Sequence, residues 1–92
     1  IGQGQKNLAL YFKRCGEWEK SITLWEDLSQ HSEDLEAWRE LAMYYEHQLR
    51  QPEVALKFAL DGLALSREAN SAFEKDFEKR VDRLTKKLNR IG

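Results

Sequence analysis

The 92 residues predict an all-α domain of two helical hairpins followed by a fifth, C-terminal helix. Three observations carry that reading. Apolar residues recur with a period near 3.6 almost throughout, and strand-like alternation is absent. The string Trp38-x2-Leu41-Ala42-x2-Tyr45, followed by Ala55-x3-Ala59, has a fainter upstream copy in Leu8-Ala9-x2-Phe12, then Gly16, then Ser21-x3-Trp25. Leu8 to Leu41 is 33 residues and Ser21 to Ala55 is 34, an offset that two unrelated amphipathic hairpins would rarely share.

The elements follow in order. Residues 1–4, rich in Gly and Gln, read as a linker. A first helix over about 5–15 buries Leu8, Leu10 or Tyr11, and Phe12, and Gly16 supplies the left-handed residue that commonly closes a helix. A second over about 18–30 places Trp18, Ile22, Trp25 and Leu28 or Ser29 on one face. Ser32 or Asp34 caps the third, about 34–48, with Leu35, Trp38, Leu41, Ala42 and Tyr45 inward. Pro52 suits the first turn of the fourth, about 52–66, where its missing N–H would be unpaired anyway. Asn70 or Ser71 opens the fifth, about 71–90.

That last helix carries Phe73, Phe77, Val81, Leu84, Leu88 and Ile91 as one apolar stripe on an otherwise charged rod. Such a stripe needs cover. Capping the second hairpin of its own chain is the favoured role, which makes the chain a monomer. Pairing as a coiled-coil strand would instead make a dimer through helix five. Lying on a membrane is disfavoured by Asp76, Glu78 and Asp82 among the cations.

Charge bounds the function. One third of the residues are charged yet cancel to a net −1, which argues against a general electrostatic grip on nucleic acid or lipid. The distribution is uneven: residues 17–46 carry nine acidic and two basic side chains, residues 75–92 seven basic and three acidic. Lys75, Lys79, Arg83, Lys86, Lys87 and Arg90 share a face that would allow weak nucleic-acid contact through phosphates. Cys15 stands alone, which fits a reducing cytoplasm. No apolar run is long enough to span a bilayer, and the first residues, beginning without Met, read as the start of a fragment excised from a longer protein.

No catalytic, cofactor-binding or metal-ligating constellation emerges. His31 and His47 are 16 apart, as are Cys15 and His31, which matches no ligand spacing. Glu26-Asp27 and Glu33-Asp34 are adjacent pairs that diverge on a helix. The segment is not expected to be an enzyme by itself.

The repeated string resembles the tetratricopeptide (TPR) family. The resemblance covers both hairpins and implies a right-handed helical-hairpin solenoid, with repeats over 5–32 and 33–68 and an amphipathic capping helix over 69–92. In that family the hairpin helices cross closely at small residues, here Ala9, Ser21, Ala42, Ala55, Ala59 and Gly62, while Trp18, Trp25 and Trp38 match bulky core positions. The second inter-helix turn is longer by one residue and lacks its glycine, the helix-A small position holds Ala9 and Ala42 where the family has Gly, and the terminal proline of each repeat is missing. Family arrays usually grip a peptide in a groove lined by the first helix of each hairpin. That implies Gln3, Lys6, Asn7, Leu10, Lys13 and Arg14, with Glu36, Arg39, Glu40, Met43, Glu46 and His47. Leu10 and Met43 stand where carboxylate-clamp members use asparagines, so the mixed charges point to a segment of both signs, or to a neighbouring domain. More narrowly, the string from Trp38 to Arg50, with Ala55-Leu56, resembles the helical-repeat tail behind a ribonuclease-H-like, DEDD-type exonuclease domain in certain bacterial proteins. That resemblance implies a scaffold accessory to an upstream nuclease; the alternative is a free-standing adaptor.

Overall fold

The structure, a computed structural model, describes residues 2–32 and 34–91, with the side chains of Gln3 and Ile91 left aside. It is all-α. The described residues form α1 (Gly2–Arg14), α2 (Trp18–His31), α3 (Leu35–His47), α4 (Pro52–Glu68) and α5 (Phe73–Ile91). Residues 2–4, expected as linker, are instead the first turn of α1; Gln5 Nε2 reaches Asp27 Oδ2 at 2.6 Å and Lys6 reaches across to α3, so this end is tied down.

Each helix ends for a local reason. Gly16 takes φ +78°, and the N–H groups of Gly16 and Glu17 close back on the carbonyls of Lys13 and Phe12, a Schellman arrangement. Asn70 (φ +52°) does the same after α4, with Ser71 N–H on Ser66 O at 2.9 Å. Ser71 Oγ then accepts the Phe73 N–H, and Asp34 Oδ1 accepts the Glu36 N–H at 3.0 Å to start α3. The turn with the extra residue closes through Gln51 N–H on Tyr45 O at 2.7 Å, and Arg50, at φ +54°, stands in the left-handed region that glycine fills after α1.

Cross-helix contacts fix the arrangement. Gln5 meets Asp27, Ala9 O accepts from Ser21 Oγ at 2.8 Å, and the Lys20 ammonium lies over the Phe12 ring, so numbers fall on α2 as they rise on α1: the pair is antiparallel. Phe77 at Gly62 and Glu74 at Arg67 make α4 and α5 antiparallel as well. Between α1 and α3 the numbers rise together, Lys6 with Asp34 and Glu36, Lys13 with Glu40; so do they between α3 and α5, Arg39 over Phe73 and Glu46 against Arg80 and Arg83. Helices α1, α3 and α5 therefore lie side by side, with α2 and α4 on their other side. The dimensions, 39 × 31 × 18 Å, leave a least thickness of about two helix diameters.

The core has two parts. Ala9, Ile22, Trp25, Leu28, Ala37, Leu41 and Tyr44 form one, and Ala42, Ala55, Ala59 and Leu84 the other. Tyr45 and Phe58, stacked at 5.3 Å between centroids, join them. All six small residues expected at close crossings are buried. Three expectations need correction. Leu8 is 45% exposed although its counterpart Leu41 is fully buried, because α3 lies between α1 and α5 whereas α1 has a parallel neighbour on one side only. Tyr44 is more deeply buried than Tyr45, since it seals α2 against α3 through Trp18. Trp18 and Trp38 are half-buried, and among the tryptophans only Trp25 is fully enclosed.

Helix α5 packs on α4 within the same chain. Phe77 and Leu84 are fully buried, and Phe73, Val81 and Leu88 half-buried; Ile91's side chain lies outside the described residues. The centre of the stripe is thus not free to serve as a dimer seam.

Two substitutions test this packing by urea denaturation. A Cβ at Gly62 would run into the Phe77 ring, so Gly62→Ala should lower stability by about 1–3 kcal/mol despite its better helix propensity. Trp25→Ala should cost about 3–5 kcal/mol. A Gly62→Ala protein as stable as the parent would show that α4 and α5 do not approach this closely.

Candidate partner-binding face

The face shared by α1, α3 and α5 collects the residues the family resemblance implicates. Lys6 Nζ lies 3.1 Å from Asp34 Oδ2 and 2.9 Å from Glu36 Oε1; Glu36 beside it, with Asp34, holds the ammonium above its ordinary pKa against the opposing effect of burial. Lys13 Nζ donates to Glu40 Oε1 at 2.8 Å. Arg39 reaches Glu36 (3.7 Å) and Glu40 (3.8 Å) and sits over the Phe73 ring, a cation–π contact. Glu46, nearly fully buried, takes Arg83 Nη2 at 2.6 Å on one oxygen and Arg83 Nε at 3.2 Å on the other, with Arg80, Lys87 and His47 within 3.8 Å. Burial alone would raise its pKa. The Arg83 hydrogen bonds and the charges of Arg83, His47 and Lys87 outweigh that and hold it below the usual carboxylate value.

This arrangement changes the meaning of the mixed charges. Lys6, Lys13, Glu36, Arg39, Glu40 and Glu46 satisfy one another or α5, so they clamp parallel helices together and do not stand open for a partner of both signs. Glu40 and Glu46 are in fact buried, which a helical-wheel reading assigns to solvent because both lie beside the apolar sector. Leu10 is half-buried and, with the exposed Arg14, lines a shallow recess beside Trp18. Asn7 and His47 are exposed; Gln3's side chain lies outside the described residues.

What remains open is an apolar pocket. Between α1, α2 and α3 lies a cavity of about 110 Å³ walled by Trp18, Ile22, Trp25, Met43 and Tyr44, with Lys13, Glu40, His47 and Gln48 among its polar lining. Met43 and His47 belong to the implicated set. The walls from α2 do not, because the second helix of a hairpin is not expected to reach the groove; the signal that would have found them is the bulk of Trp18 and Trp25 at i and i+7 on a helix whose small residue, Ser21, draws α1 close.

The basic side of α5 divides in two. Arg83 and Lys87 turn to Glu46, and Lys86 pairs with Asp82 at 3.1 Å. Lys75, Lys79 and Arg90 are exposed. The six cations therefore do not form one uninterrupted phosphate-binding face. Among the described residues no group of three His, Cys, Asp or Glu side chains is placed to hold a metal ion, and no helix is long and apolar enough to cross a membrane. Residues 5–32, 33–68 and 69–92 each supply one of the three side-by-side helices of this face.

No family model, no curated protein and no solved structure matches this chain.

The Glu46 cluster has a pH signature. A carboxyl whose folded pKa lies below its unfolded value stabilises the fold fully above the unfolded value, 4.5 here, and the contribution is lost as pH falls through the lower folded one. Glu46→Gln should therefore cost about 1–3 kcal/mol at pH 7 and progressively less in acid. Urea midpoints of both proteins between pH 7 and pH 3 check this; a gap that stays constant across the range would remove the ion cluster as its cause.

Proposed function

We propose that this chain is a protein-interaction module of the TPR type, a right-handed stack of two hairpins capped by α5, which holds a segment of a partner protein or a neighbouring domain along the α1–α3 face. The apolar pocket carries the proposal. Most of the charged side chains around it are already paired, so affinity has to come from an apolar side chain, and about 110 Å³ admits a single branched aliphatic group and excludes a drug-sized ligand. The parallel alignment of α1, α3 and α5, the antiparallel hairpins and the buried small residues support the repeat assignment.

The Trp38–Arg50 string has a use compatible with a tail that positions an upstream nuclease domain in a bacterial cytoplasm. Trp38 packs on the Phe58 ring and Leu41, Ala42 and Tyr45 on the core, while Glu46 ties α3 to α5, so these residues build the module and we assign them no chemistry. A free-standing adaptor would use the same face.

Seating one aliphatic side chain is worth about 1.5–3 kcal/mol, or roughly ten- to a hundredfold in affinity. Peptides selected from a random display library against the whole chain should bind Met43→Lys at least about tenfold more weakly, while Leu60→Lys, an exposed change on α4, leaves binding intact. Selected peptides that bind both variants like the parent would overturn the groove assignment.

A further inference from the structure

Beside the apolar pocket, beyond His47, lies a second recess of about 290 Å³, lined by Glu46, His47, Arg50, Pro52 and Lys87. Its charge is lopsided. Arg50 and Lys87 line the recess against the single carboxylate of Glu46, which Arg80 and Arg83 also approach. Both Glu46 oxygens are already occupied by the Arg83 fork, and Asp76 leans on Arg80 at 3.7 Å. Lys87 is left with a loose 3.8 Å contact to Glu46, and Arg50 has no ion-pair partner among the described residues. An ammonium carries three donors and a guanidinium five, so most of the donor capacity here is unused.

We propose that this recess is a carboxylate-binding site, which takes an acidic side chain of a partner protein segment between Arg50 and Lys87. It extends the interaction reading above, since His47 lines both cavities and a segment with an aliphatic anchor in the first can place a neighbouring carboxylate in the second. Its own operation does not need the apolar pocket. Buried Glu46 fixes Arg83 by two hydrogen bonds and gathers Arg80 and Lys87 within 3.8 Å, so positive charge is concentrated beside the recess before the ligand arrives.

The surroundings favour a carboxylate-bearing peptide over a nucleic acid. A polyphosphate backbone needs a continuous track of cations, whereas α5 interrupts its cations with Asp76, Glu78 and Asp82, and residues 17–46 are strongly acidic. A compact recess whose two cationic heads are Arg50, without an ion-pair partner among the described residues, and the loosely held Lys87 matches one or two isolated carboxylates.

The test uses the whole chain, labelled with nitrogen-15, titrated with hexaglutamate and, separately, with hexathymidylate. Hexaglutamate should shift amide signals of residues 46–51 and 53 and of those around Lys87, and bind more tightly than hexathymidylate. The double variant R50Q/K87Q, at two exposed positions, should retain the helical content of the parent and bind hexaglutamate about fivefold more weakly, as expected for two exposed ionic contacts. Tighter binding of hexathymidylate, shifts spread along Lys75–Arg90, or undiminished hexaglutamate binding by the double variant would each overturn the site. Met43 does not line this recess and neither Arg50 nor Lys87 lines the apolar pocket, so loss of the groove and loss of the carboxylate site are read from different residues.

Discussion

Close approach of helices at small side chains is the constraint from which the rest of this structure follows. Ser21 can donate its hydroxyl to Ala9 O only because neither position carries bulk, and Ala42, Ala55 and Ala59 meet Leu84 in the same way. At Gly62 even a methyl group is excluded by Phe77. These contacts set the register of the helix pairs and hence bring α1, α3 and α5 side by side. Larger residues then occupy the remaining space, with the Tyr45–Phe58 stack spanning the two parts of the core. In an interior packed near crystal density, shifting one crossing by a residue would displace every side chain behind it.

Once α3 is held between α1 and α5, the uneven charge of the chain has an internal explanation. The acidic stretch includes Asp34, Glu36, Glu40 and Glu46, and these meet Lys6 and Lys13 on one flank and Arg80, Arg83 and Lys87 on the other. A dipolar sequence becomes a mutually neutralised face. Exposed pairs such as Lys86–Asp82 contribute little, but Glu40 and Glu46 are buried, so leaving either without its cation would strand a desolvated charge. Their role is therefore to make the parallel order of α1, α3 and α5 specific as much as to strengthen it.

The helices and their order were legible from the 3.6-residue period, the turn residues and Pro52, and the small residues at crossings were implied by the family resemblance. Details that depend on neighbours were not. Leu8 and Leu41 share a motif position, yet α1 lacks a second parallel neighbour and Leu8 stays exposed. Arg50 takes a left-handed turn that no sequence rule assigns to arginine, because the longer α3–α4 connection closes on Tyr45 O. In the candidate site, Lys6, Lys13, Glu40 and Met43 were named only through the family resemblance. That the charges among them pair across helices, and that Trp18 and Trp25 wall the pocket, depends on how far apart the helix axes settle.

That last dependence links packing to the proposed function. Ser21 draws α2 onto α1, while the rings of Trp18, Trp25 and Tyr44 are too bulky to close the space toward Met43, so a gap persists beside the tightest crossing. Sealed and empty, a void of 110 Å³ would cost about 2–3 kcal/mol at the scale measured for core truncations. A larger residue at Met43 would remove that cost, and with it an apolar opening on a face where neighbouring charges are already paired. The gap and the ion pairs thus act together: the pairs leave little for a partner's charges to do along α1 and α3, so selectivity there falls to the shape of one side chain. In the proposed carboxylate site, electrostatic selectivity belongs to the end of α3, where Arg50 and Lys87 face the single carboxylate of Glu46.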